Sequence, residues 1–241
     1  MASISDSIRA VNSDNYALLK IGAFAYFFYL LFEMTTAPQA QPATSTGQQA
    51  AFSVNYFQIA LLAFFYSGYC SIIMNNRISQ SVVTLPPFDP LKILSVCVKC
   101  TLVALPYLAI GIPTVTYALG LFHFDGVPQL IAIAIIELIL VAIIITAIIC
   151  FSREFKIKDS YNFKRLMSGF PDVLVYTLVA IVLLALFNVF IALPVLWFAH
   201  SFFEFGAVFR YAAFYLITLN LAYLADYCGQ LSFDIEDREE F

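Results

Sequence analysis

The chain reads as an all-α integral membrane protein: a bundle of about six transmembrane helices with short amphipathic interfacial helices and both termini cytoplasmic. Three observations predict this. Of its 241 residues 62% are hydrophobic and only 12% charged, more apolar surface than a soluble domain of this size can bury. The apolar residues fall into six runs near the 20 or so residues that a helix needs to cross about 30 Å of hydrocarbon. The Lys and Arg of the connectors fall on alternate ones, as they do when basic loops stay on the cytoplasmic side.

Residues 1–17 carry Ile4, Ile8 and Val11 at helical spacing, with Ser3 placed to cap and Asp6 behind it, which predicts a short helix on the membrane surface. The first span is expected over 18–34. A cleaved signal peptide competes with it, because Ala37-Pro38-Gln39-Ala40 has the small residues of a cleavage site. The long preceding region with Asp6 and Asp14 argues against cleavage. Residues 35–50, rich in Thr, Ala, Pro, Gln and Ser, predict a flexible uncharged loop.

The second span is expected over 54–75, followed by a polar connector ending in Leu85-Pro86-Pro87-Phe88-Asp89-Pro90. The third runs over 91–119 and contains Pro106 and Pro113, which predict a kink or a helix break. The fourth, 129–151, is isoleucine-rich on every side and is expected to face lipid. In 152–170 the cations Arg153, Lys156, Lys158, Lys164 and Arg165 alternate with Phe155, Ile157, Tyr161, Phe163 and Leu166. That pattern predicts a cytoplasmic amphipathic helix with a preference for anionic lipid. Pro171 suits the first turn of a fifth span over 171–198, and a sixth is expected over 205–228. Residues 231–241 form an acidic cytoplasmic tail that accounts for the whole net charge of −4.

The connectors expected outside, 35–53, 120–128 and 199–204, contain no Lys or Arg, whereas Arg9, Lys20, Arg77, Lys92 and the five cations of 152–170 lie on the other side. Trp197, Phe198, Phe202, Phe203 and Phe205 would form an outer aromatic belt. A neutral body without a basic stripe argues against nucleic acid as a partner. Five cysteines, placed mostly inside apolar runs, do not resemble a disulfide framework.

Gly68-Tyr69-Cys70 through Ile73, then a polar connector, then Leu85-Pro86-Pro87-Phe88-Asp89 leading into a span, resemble the prokaryotic membrane proteins grouped as domain-of-unknown-function family 4013. The N-terminal surface helix and Phe151-Ser152-Arg153-Glu154-Phe155 are also similar to that family, so the resemblance covers most of the chain. It departs at Val96-Cys97-Val98-Lys99-Cys100, where the family often carries glycine. The resemblance implies a six-helix bundle in a bacterial or archaeal plasma membrane and assigns no activity.

The candidate intramembrane polar residues are Glu137, Lys99, Asn188, Asn220 and Arg210. Glu137, about nine residues into the fourth span, costs roughly 2.5–3.5 kcal/mol to insert unless it is paired or protonated, with Lys99 and Arg210 as expected partners. It is either a proton or ion relay or a structural carboxyl. Asn188 and Asn220 are deep enough to bind each other across helices or to line a polar path, interhelical bonding being the commoner role. Cys97 and Cys100 have C-x-x-C spacing, but His123 and His200 are expected on the far side of the membrane, which leaves packing as their role and no metal or cofactor assigned. Nucleophile elbows, metal-hydrolase and phosphate-loop patterns are absent. The sequence therefore points to a non-enzymatic membrane protein: a carrier or channel component for a small solute, ion or lipid, acting as a homo-oligomer, or else a scaffold that assembles with other membrane proteins, with an intramembrane enzyme as the third and last class.

Overall fold

A computed structural model describes residues 3–36, 56–81, 83–87, 89–121, 127–202 and 206–237. Eight α-helices account for almost all of these: α1 Ile4–Ser13, α2 Ala17–Thr36, α3 Tyr56–Ile78, α4 Pro90–Leu121, α5 Val127–Glu154, α6 Phe163–Phe187, α7 Leu193–Phe202 and α8 Gly206–Asp237. A 3₁₀ turn, Ile157–Tyr161, precedes α6, and a π-helical turn, Asn188–Ala192, joins α6 to α7 without interruption. Six helical stretches are long and apolar enough to cross a membrane: Ala17–Met34, Gln58–Ile78, Leu91–Gly111, Ala134–Glu154, Phe163–Phe198 and Val208–Ser232. These define an all-α membrane protein of the multi-pass class. Of the loop expected over 35–50, Thr35 and Thr36 belong to α2; its remainder, the cleavage-site residues Ala37 to Ala40, His123, Phe203, Glu204 and Phe205 lie outside the described residues.

The core is built chiefly from α2, α3, α4, α5 and α8. Phe28 stacks on Tyr66 with ring centroids 3.8 Å apart, and Phe24 meets Tyr69 at 4.3 Å. Helices α3 and α4 approach so closely that a Cβ on Gly68 would lie 2.3 Å from Cys97 Sγ and 3.0 Å from the Ile93 carbonyl. In a bilayer, where apolar surface gains nothing by leaving lipid, small residues at such crossings let dispersion between helices replace contacts with lipid chains. Gly229 plays the same part between α8 and α3, where a Cβ would lie 2.8 Å from the Cβ of Arg77.

Helix α1 packs on the last turns of α8. Its Ser3 occupies the N-cap position without a capping side-chain bond. Instead the Ser3 amide donates to Gln230 Oε1 at 2.9 Å, Gln230 Nε2 donates to Ser7 Oγ at 2.7 Å and to Asp226 Oδ2 at 3.1 Å, and Tyr223 bonds Asn12 at 3.1 Å. This polar junction was not visible as a junction in the sequence, because its members are more than 200 residues apart.

Four expectations need correction. Pro106 and Pro113 do not break the third span; α4 runs through both. The carbonyl that Pro106 deprives of a donor, Leu102, accepts instead from the Tyr161 hydroxyl at 2.8 Å, so that this acceptor is not left open. Residues 152–170 are not one amphipathic helix. Helix α5 ends at Glu154, Phe155 turns left-handed with φ 52°, the 3₁₀ turn follows, and α6 starts at Phe163 with Asn162 accepting from the Arg165 amide at 3.3 Å. Pro171 is accordingly inside α6 rather than in its first turn. Finally, the tail does not begin at 231: α8 continues to Asp237, with Leu231 and Ser232 buried.

Candidate functional site

The polar residues of the spans are placed in two groups. Asn220 is twelve residues from either end of Val208–Ser232 and therefore at mid-depth of that span. It faces Asn188, the first residue of the π-helical turn. Asn220 Nδ2 donates to Asn188 Oδ1 at 2.8 Å, and Asn188 Nδ2 donates to the Leu184 carbonyl at 2.8 Å. Asn220 Oδ1 is shielded from solvent and, among the described residues, accepts no hydrogen bond. Leaving a buried acceptor unmade costs about 1–3 kcal/mol, and neighbouring lipid offers no donor to relieve it.

The π turn has a local cause. Pro194 has no amide to donate, and its ring would press on the carbonyl four residues back, that of Phe190. Widening the turn at Asn188–Ala192 carries the chain past this obstacle, and the Leu193 amide reaches back five residues to the Asn188 carbonyl. Such insertions recur at functional sites because they loosen regular backbone pairing at one point of an otherwise rigid helix. Pro194 was evident in the sequence; that Asn188 begins the widened turn was not, because both lie in an unbroken apolar run.

The second group is at the far end of α2 and α8. Arg210 Nε lies 3.1 Å from Glu33 Oε1, with both side chains partly exposed. Arg210 is thus taken by Glu33, a partner that sequence reasoning passed over as an extension of the first span. Glu137 is exposed on α5 and, among the described residues, has neither an ion pair nor a hydrogen bond. Gly111 and Leu140 mark a common level of α4 and α5, since a Cβ on Gly111 would lie 2.4 Å from Leu140 Cδ1. Lys99 lies on one side of that level and Glu137 on the other, which separates them by about 20 Å of helical rise. The structure does not bring Glu137 to Lys99 or to Arg210. Glu137 is the eleventh residue of α5, Val127–Glu154.

Cys97 and Cys100 are buried against α3, donating to the Phe65 and Ser67 carbonyls at 3.7 and 3.8 Å, and Cys100 also meets Ser71 Oγ at 3.0 Å. Among the described residues no group of three or more His, Cys, Asp or Glu side chains is arranged to hold a metal. Of the basic connector, Arg153 donates to the Ser232 carbonyl at 2.7 Å and Lys156 is bonded to Glu154, which raises the Lys156 ammonium above the ordinary lysine range. Lys158 and Lys164 stay exposed beside exposed Phe163 and Met167.

Comparison with protein-family models, with curated proteins and with solved structures finds no match.

Proposed function

We propose that this chain is a non-enzymatic, multi-pass carrier or channel component for a small polar solute, with Asn188 and Asn220 as the intramembrane site. The observation that carries the reading is the unpartnered Oδ1 of Asn220 at the centre of a span, beside a π-helical turn. A helix interior that serves only for packing has no use for an acceptor left open in hydrocarbon. A transport site does, because the solute must exchange water for protein groups halfway across. Six spans make a small carrier, so a homo-oligomer is part of the reading.

Sidedness follows from charge: the end holding Arg9, Lys20, Arg77, Lys92 and the 152–170 connector is cytoplasmic, in the inner membrane of a prokaryote, as the resemblance to family 4013 also implies. Exposed Lys158 and Lys164, with exposed Phe163 and Met167 beside them, rest on anionic headgroups there.

The test is reconstitution in liposomes, with osmotic swelling for neutral solutes and bilayer current for ions. Flux above that of empty liposomes, lost in Asn220→Leu with helical content retained, is the expected result. Flux equal in the variant and the native chain removes the site from the reading. A second reading, assembly with another membrane protein, is favoured by one observation: Glu137 is exposed on α5. Under it Glu137→Leu dissociates a complex without changing flux.

A further inference from the structure

The hydrogen bonds through Asn188 and Asn220 run in one direction, and that direction specifies what the site can bind. A main-chain carbonyl only accepts. The Leu184 carbonyl therefore holds the Asn188 amide with Nδ2 towards it, at 2.8 Å, and Asn188 Oδ1 is left facing α8. That oxygen also only accepts, so Asn220 must offer Nδ2, again at 2.8 Å. Reversing either amide would set two oxygens or two NH₂ groups against one another. The order of donors is thus fixed from its anchor outward, and its free end, Asn220 Oδ1, is an acceptor to which nothing among the described residues donates.

We infer that Asn220 Oδ1 is a ligand-binding atom and that it selects hydrogen-bond donors without negative charge, such as an ammonium, an amine or an alcohol. A donor-free anion would present an acceptor to an acceptor in a medium that magnifies their repulsion. The nearest cation along α8, Arg210, does not reverse this preference, since it is ten residues away and paired with Glu33. An amide oxygen also ligates metal cations directly, so the discriminating cation is tetramethylammonium, which has the charge but no N–H and could not make the bond. The inference deepens the carrier reading, on which it rests, by naming the chemical class of its cargo.

The experiment uses the full chain in lipid bilayers, with the Asn220 side-chain carbonyl followed by ¹³C solid-state NMR and assigned by its disappearance in Asn220→Gln. Three salts are added in turn: ammonium chloride, tetramethylammonium chloride and tetramethylammonium nitrate. Ammonium should shift the resonance, while tetramethylammonium and nitrate leave it in place. In planar bilayers the ammonium current should fall roughly five- to tenfold in Asn220→Leu, the factor that one hydrogen bond commands. A resonance that ignores ammonium, or one that moves equally with tetramethylammonium, overturns the inference. A nitrate current that depends on Asn220 leaves the carrier reading standing and overturns the ligand class. A shift with ammonium in a chain that passes no current upholds the ligand class and removes the carrier reading.

Discussion

Tyr161 shows how much a single hydroxyl does in this fold. Pro106 leaves the Leu102 carbonyl without its backbone donor, and Tyr161 supplies one at 2.8 Å, while Tyr107 returns a bond from α4 to the Ser160 carbonyl at 2.6 Å. The two rings lie 6.0 Å apart and nearly parallel. Tyr161→Phe keeps the ring and removes the donor, so it should lower stability in detergent by about 1 kcal/mol, read as a fall in denaturation midpoint against Tyr117→Phe, an exposed control. An unchanged midpoint would mean that the Leu102 carbonyl is served by water. Gly68 makes a sharper case. A methyl there would meet Cys97 Sγ at 2.3 Å and backbone at 3.0 Å, so Gly68→Ala should destabilise by about 1–3 kcal/mol. Adding Cys97→Ala relieves only the sulfur contact and should restore part of the loss; full restoration would show that the α3–α4 backbone can shift after all.

At the scale of elements, the end of α5 is held from outside the helix. Its last carbonyls have no partner further along the chain, and Asn75 Nδ2, from α3, donates to two of them, Ser152 at 2.7 Å and Arg153 at 3.0 Å. Asn75→Ala should fray this end, with amide exchange rising from Ser152 to Lys156 and staying unchanged at Ala142 to Ala147; uniform exchange would refute the cap. Elements such as this one also show what could be read in advance. Six apolar runs were legible because length and hydropathy alone decide whether a helix can span. The division of 152–170 was not, because its basic and aromatic alternation fits an amphipathic helix, whereas its actual shape depends on Phe155 turning left-handed and on tyrosine bonds to α4. The same bonds explain why Pro106 signalled a break that α4 does not have. Asn188 and Asn220 could be named from their depth, but the open Oδ1 could not, since it depends on which amide atom meets Leu184. The pairing of Glu33 with Arg210 was equally invisible: a carboxylate at the end of one run and a guanidinium at the start of another, 177 positions later, share no local pattern.

For the whole molecule, packing is concentrated at the end that carries α1. Among the described residues of α4 the last buried one is Val103, and among those of α5 the first is Ala142. There too α1 is bonded to α8 through Gln230 and Ser7, so both described ends of the chain lie at one end of the bundle, as an even number of spans requires. The opposite end exposes Leu105, Leu108 and Ile110 on α4 and Ile131 and Ile135 on α5, a surface suited to lipid. The sidedness proposed from charge can be tested with single cysteines. The five native cysteines are buried or half-buried within the helices, so a membrane-impermeant maleimide applied to right-side-out vesicles reports the introduced thiol. Ser5→Cys and Lys158→Cys should react only after the membrane is opened, whereas Ser201→Cys should react at once. The reverse pattern would place Arg153, Lys156, Lys158, Lys164 and Arg165 outside, against the bias that orients basic loops. It would leave the helix bundle and the asparagine site as they are while inverting the direction from which a solute reaches Asn220.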